Sequence, residues 1–251
     1  HMMLDGLEDA YEPGRSMGTF GEDCAAKYGF TRAEQDAFAT ASVERAKAAT
    51  ASGAFAAEIT PVTVKSRAGE TVVSVDEGPG KVKLDKIASL KPAFKKDGTI
   101  TAASSSSIND GAAALVMMRA STATQLGCKP LARIVGHATH AQEPEWFATA
   151  PLGATQKALA KAGWAVGDVD LWEINEAFAV VPMALMKELN LPHDKVNVNG
   201  GACALGHPIG ASGARIIVTL IHALQARGLR RGVATLCIGG GEATAMAIEL
   251  V

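Results

Sequence analysis

From residue 131 onward short apolar runs alternate with helical stretches, and this alternation limits the possible folds more than any other feature of the chain. Residues 169–174 read as a strand feeding a helix over 176–189, and residues 152–162 read as a helix stopped by Gly163. A strand over 196–198 leads through a glycine-rich loop into a helix over 212–227, whose start is apolar nearly all round and therefore buried. Residues 233–237 and 243–250 form a hairpin about their glycines, and 112–118 and 131–135 supply two more strands. The expected fold is α/β, a mixed sheet covered by helices on both faces.

The region before this has a different texture. Thr31 with Glu34 makes a capping box, Phe38, Ala41 and Ala49 help form an apolar stripe, and Gly53 is a stop signal, so a helix is expected over 31–53. Alternation marks 59–65 and 71–75 as strands on either side of the turn Ala68-Gly69. Residues 92–94 and the run Ser104 to Ser107 lack periodicity and are expected to face solvent or a ligand. The division predicted is an α+β lobe over 1–99 and a second domain over 100–251. Residues 4–18 read as the middle of a loop, and because no natural translation product begins with histidine, His1 marks either a cloning remnant or an internal fragment.

With 251 residues, 48% hydrophobic and 20% charged, the chain has enough apolar material for a substantial core. A formal charge of -2 with interspersed signs gives no basic face for nucleic acid and no cluster for a lipid surface. The apolar stretches are too short and interrupted to span a bilayer, and a cytoplasmic location is expected. Cys24, Cys128, Cys203 and Cys237 show no CxxC spacing, which fits a reducing compartment. His137 and His140 have no carboxylate or thiol at ligand spacing, so no metal is expected.

Against this background stand polar clusters, each after an expected strand: Asn175-Glu176-Ala177-Phe178, the run from Gly206-His207-Pro208 to Ser212-Gly213, and Cys237-Ile238-Gly239-Gly240-Gly241. The crevice beyond the carboxyl ends of strands is where open α/β sheets bind ligands. Taken singly, Asn175 is a helix N-cap, His207 a satisfied loop histidine and Cys237 a small core residue. Taken together, an amide, an imidazole and a thiol beside glycines that free backbone N–H groups suggest one site. A phosphate-binding loop would need a lysine that 206–213 lacks, and a hydrolase elbow would need a glycine one residue later than Gly213. The remaining chemistry is acyl or carbanion chemistry at a thioester.

The motifs NEAF, NGGACALGHPIGASG and CIGGG, in this order, resemble the three C-terminal motifs of the thiolase family, the coenzyme A-dependent acyltransferases. Asp5-Gly6-Leu7, Met17-Gly18, 91–94 and 109–113 are similar to that family too. The resemblance implies a βαβαβαββ half with a loop domain. It implies Cys237 as base and as acid in reverse, and His207, with a water held by Asn175, as donor to the thioester oxygen. The Gly239 N–H would serve a second oxyanion hole. Coenzyme A would run along Leu7, Met17, Ala93, Phe94, Ala102, Ser106, with its hydroxyl donating, and Ile108; Ala177 and Phe178 would line the substrate path, and Phe147 would narrow the acyl pocket. Coenzyme A thioesters would be substrates with no separate cofactor, and the complete protein would assemble as a dimer or homotetramer.

The same resemblance places the acylated, nucleophilic cysteine in an N-terminal half that no segment of this chain resembles. The expected activity is condensation of two acetyl-CoA to acetoacetyl-CoA, or its reversal, with the chain inactive alone. A degradative thiolase of longer 3-ketoacyl chains and a non-catalytic coenzyme A-binding or partner module stand as alternatives.

Overall fold

The computed structural model describes residues 2–251, and His1 with the expectation attached to it lies outside the described residues. The second half is built on a four-stranded sheet. Its strands are β3 (Ala132–Ala141), β4 (Leu171–Ile174), β5 (Arg231–Ile238) and β6 (Glu242–Leu250), in the order β3-β6-β5-β4. β5 pairs antiparallel with β6 and parallel with β4, so the sheet is mixed as expected. Side-chain alternation along β6 shows how the faces are used. Ala243 and Ala245 pack with Ala150, Ala154 and Ala158 of the helix Ala150–Ala162. Ile248 packs with Ile216, Leu220 and Leu224 of the helix Ser212–Arg227, joined by Met246 and Leu250 at the margin. Small side chains let the first helix lie close to the sheet, and large ones fill the space under the second.

The N-terminal region has two long helices, α1 (Met17–Tyr28) and α2 (Arg32–Ser52), short helices at Met2–Gly6 and Gly78–Lys81, and an exposed hairpin, β1 (Val62–Ser66) with β2 (Gly69–Val73). The capping box of Thr31 and Glu34 is formed, and Gly53 ends α2 at φ 76°. The longer of the later helices are α3 (Ala150–Ala162), α4 (Val180–Leu189) and α5 (Ser212–Arg227). One core joins the two regions: Met17, Phe20 and Cys24 of α1 pack with Trp172, Ile174, Phe178, Val233 and Cys237. No helix among the described residues is long and apolar enough to cross a membrane.

Several expectations are corrected. Residues 112–118 form no strand: the apolar run is there, but Val116 is 88% exposed and no neighbouring strand pairs with it among the described residues. Residues 196–198 make only a single bridge, Val196 to Trp172. The helix expected from Glu176 begins at Val180, because the segment before it is tied to the serine run instead: Ser105 bridges Phe178 and Ala179 N–H donates to Ser104 O. Ser104 and Ser105 are accordingly buried rather than surface-facing. Residues 4–18 are not all loop, since a short helix covers Met2–Gly6 and α1 starts at Met17.

Candidate active site

Asn175 leaves the carboxyl end of β4 with its N–H donating to Thr235 O of β5, which fixes it at the rim of the sheet. Since α4 starts five residues on, Asn175 caps no helix; its side-chain Nδ2 lies 3.3 Å from His207 Nε2. The other ring nitrogen, Nδ1, is 2.5 Å from Ser212 Oγ. Ser212 Oγ donates to Pro208 O at 3.0 Å, so it accepts from Nδ1–H and leaves the Nε2 lone pair facing the Asn175 amide. The backbone of His207 is held as well, its N–H donating to Ser107 O at 3.0 Å. Burial, reinforced by the positive charge of Arg215, holds the imidazole down to about 4, so at neutral pH it is an uncharged proton acceptor.

Gly206 precedes His207 at φ 84°, a left-handed backbone that a side chain would strain, and a Cβ there would also overlap Asn109. Upstream, Glu176 anchors the loop that delivers this turn. Its Oε2 accepts from Ser42 Oγ of α2 at 2.7 Å and from Cys203 N–H at 2.9 Å, and its Oε1 accepts from Asn197 Nδ2 at 2.8 Å. Asn197 in turn bonds both the N–H and the C=O of Ile174, and Gly201 N–H donates to Ser42 Oγ. These partners lie 21 to 159 residues apart in sequence, which is why the motif alone does not reveal them.

Cys237 is the penultimate residue of β5, and the glycines 239–241 make the turn into β6, with Gly240 and Gly241 at φ 87° and 83°. Gly241 O accepts from Gln142 N–H, which ties the turn to residues 142–149. The Cys237 side chain is buried in the cluster of Met17, Phe147 and Phe178, and burial pushes its thiol up to about 12. The polar contacts of His207 run to Asn175 and Ser212, and among the described residues none reaches Cys237. The structure therefore couples Asn175 directly to His207 and seats Cys237 in an apolar wall.

The aromatic residues form that wall. Phe178 meets Phe94 edge-on at 5.6 Å and Phe147 at 6.4 Å, and Phe147 also meets Phe20 at 6.2 Å. Gly18 lies against the Phe94 ring, and Gly239 has Met17 Sδ as its near neighbour. Met17, Phe147, Phe178 and Cys237 belong to one buried cluster, Phe94 and Ala177 pack against it, and Gly239 lies beside Met17 Sδ. Leu7 touches this group through its carbonyl, which accepts from Met17 N–H. Ser106 turns its hydroxyl to Ala177 O at 3.1 Å, while Ala93, Ala102 and Ile108 are exposed and outside the wall. An open cleft of about 540 Å³ beside Gly240 is lined by Asp9, Phe20, Gln142 and Glu145.

Two family models account for almost the whole chain: the thiolase N-terminal domain matches residues 1–121 and the thiolase C-terminal domain matches residues 128–250. The chain belongs to the thiolase family. Because its first 121 residues match the N-terminal model, part of that half is in this chain, and the expectation that no segment resembles it does not stand. The chain is 54% identical over 250 residues to an acetyl-CoA acetyltransferase of Chromobacterium violaceum, covering 99% of this chain and 64% of that relative. It thus spans a little under two thirds of the relative's length. Among solved structures, the acetyl-CoA acetyltransferase of Bacillus anthracis superposes with TM-score 0.94 at 47% identity, over 98% of this chain and 62% of that one. The Acat5 thiolase of Ascaris suum, solved in complex with coenzyme A, superposes with TM-score 0.89 at 40% identity, over 100% of this chain and 64% of that one. Human mitochondrial 3-ketoacyl-CoA thiolase gives 0.90 at 37%, over 98% and 62%.

Proposed function

We propose that the complete protein is an acetyl-CoA acetyltransferase that condenses two acetyl-CoA to acetoacetyl-CoA and coenzyme A, and runs the reverse thiolysis. The observation that carries this reading is His207, braced at both ring nitrogens by Asn175 and Ser212, at the end of a sheet whose neighbouring strand carries Cys237.

Joining two acetyl units requires taking a proton from the carbon beside a thioester, which produces an enolate. The barrier falls when a base is positioned and donors await the negative oxygen. An uncharged His207 with its Nε2 lone pair available accepts the proton of an incoming nucleophilic thiol. The Nε2–H so formed then donates to the thioester oxygen, with the Asn175 amide beside it. Transfer of the acyl group expels coenzyme A as a thiolate. Cys237, kept protonated by burial, gives that thiolate its proton, and the Cys237 thiolate left behind is a strong base for the methyl group of the second acetyl-CoA. The enolate carbon attacks the acyl carbonyl, the carbon–carbon bond forms, and the carbon–sulfur bond to the nucleophile breaks; the departing thiolate recovers the proton from His207. The Gly239 N–H serves the oxygen at the acylated thiol.

The acyl-accepting thiol is none of the other cysteines here. Burial pushes Cys24 up to about 12, Cys203 is raised well above the ordinary range by burial beside Glu176, and Cys128 lies away from the wall in an exposed turn. We place it outside residues 1–251, and the isolated chain is expected to give no turnover. The four free cysteines favour a reducing, cytoplasmic setting, and the complete protein is proposed to work as a dimer or tetramer.

Coenzyme A is proposed to lie along Met17, Phe94 and Phe178, its acyl end toward Cys237, with Leu7, Ala93, Ala102, Ser106 and Ile108 flanking the path. Ser106 must exchange its bond to Ala177 O to donate to the ligand. Rates with purified complete protein across 3-ketoacyl-CoA lengths test the reading: a steep fall beyond four carbons supports it, and comparable rates with long chains transfer the protein to the degradative class. Phe147 closes the wall between Phe20 and Phe178, so Phe147→Ala is expected to raise kcat/KM for six-carbon over four-carbon substrates about tenfold. An unchanged ratio removes Phe147 from the acyl pocket.

A further inference from the structure

Behind His207 lies a buried group of charges that the proposed chemistry does not use. Arg215 stands one turn along α5 from Ser212, on the same face, and Glu173 of β4 stands two residues before Asn175. The two residues that grip the imidazole thus each stand close in sequence to one member of a charged pair. Arg215 Nη1 lies 3.6 Å from Glu173 Oε2, with Glu173 only 2% exposed. A second carboxylate, Glu58, approaches from the segment after α2, where Thr219 of α5 donates to its Oε1 at 3.2 Å.

The geometry of this group is not that of a closed ion pair. Charged N–H···O contacts close to about 2.7–2.9 Å when both partners are ionised and free to meet. Here Arg215 Nη1, Glu173 Oε1 and Glu58 Oε2 are all buried without a hydrogen-bond partner. Two enclosed carboxyls face one guanidinium. The other charges around them give no second cation: Glu176 follows on the β4 side, and Asp110 is exposed on the segment that packs over Pro208 through Gly111. A buried carboxylate without a counter-charge takes up a proton.

Resting on the thiolase reading above, we propose that Arg215 is a positioning residue that extends to lower pH the range over which His207 is uncharged and proton-accepting, and that Glu58 and Glu173 hold one proton between them so that the guanidinium is balanced by a single negative charge. If both carboxylates were ionised, the group would be net negative, and its field would favour a charged imidazole that cannot accept the nucleophile's proton. With one proton shared, the Arg215 charge on the His207 side is not overwhelmed. Burial moves both carboxyls in the required direction, Glu173 to about 8 and Glu58 to about 7.

The test uses the complete protein with Arg215→Met and the charge-preserving Arg215→Lys. His207 is followed by NMR titration of its ring, which does not depend on any activity, and kcat/KM is measured against pH. Arg215→Met is expected to raise the His207 midpoint by about one pH unit, so that the acid limb of kcat/KM against pH moves up by the same amount while the neutral-pH plateau and KM change little. Arg215→Lys is expected to restore the wild-type midpoint. A protonated-carboxyl infrared band at pH 7 is expected in the wild type and lost in the Glu58→Gln, Glu173→Gln double variant. The same His207 midpoint in wild type and in folded Arg215→Met, or no such band, overturns the proposal. A shifted midpoint in a protein that turns over no acyl-CoA leaves the positioning role standing and removes the thiolase reading instead.

Discussion

Replacing Cys237 by alanine in the complete protein is expected to slow condensation by about 10²–10⁴-fold, the contribution of a positioned acid–base group, with KM for acetyl-CoA little affected. The side chain removed is small and sits at the edge of an apolar cluster, so the fold bears the loss. The decisive measurement is exchange of acetyl-CoA methyl protons with deuterated solvent, followed by NMR. Exchange requires the base and does not require carbon–carbon bond formation, so it is expected to vanish along with turnover. If Cys237→Ala exchanges and condenses within threefold of wild type, Cys237 is only a packing residue and the base lies elsewhere. The direction of its pH behaviour follows from burial: the thiol form dominates through neutral pH, so its first act is to give a proton rather than take one.

This order of events is where the structure adds to the sequence. The letters around Cys237 and His207 bring a thiol and an imidazole to one end of the sheet, but their protonation states depend on what encloses them. Cys237 shares its buried cluster with Met17, Phe147 and Phe178, which come from three separate stretches of chain. For His207 the deciding residues are Ser212, Asn175 and Arg215. The helix over 212–227 was legible, since an apolar start and a glycine-rich lead-in are local signals, and the structure ends it at a left-handed Gly228. The capped helix after Thr31 was legible for the same reason.

What failed to be legible was every feature decided by a distant partner. The run 112–118 carries strand-forming residues, yet strand formation needs a neighbour to accept its hydrogen bonds, and periodicity does not report whether one is present. Asn175 has the composition of a helix cap, but the pairing of 175–179 with the serine segment postpones the helix and turns the amide to His207. Glu173 shows nothing in sequence beyond a charge inside a strand; only its enclosure against Arg215 gives it a role.

Glu176 is the extreme case of such dependence, and its removal is expected to produce the largest loss of stability. Glu176→Ala deprives Ser42 Oγ, Asn197 Nδ2 and Cys203 N–H of their acceptor at once, all inside the protein. At about 1 kcal/mol for each donor left unpaired, the cost is about 3 kcal/mol. For a chain of this size that corresponds to a fall in Tm of roughly 6–12 °C. Glu176→Gln preserves the shape and one acceptor and is expected to lose about half as much. The loop held by Glu176 leads directly into Gly206 and His207, so the alanine variant is also expected to lose activity at temperatures where it remains folded. Denaturant unfolding of wild type and both variants measures the first effect, and kcat/KM well below the midpoint measures the second. Equal stability of wild type and Glu176→Ala would mean that α2, not the carboxylate, fixes the glycine loop, and that the acidic residue of the motif acts at the substrate instead.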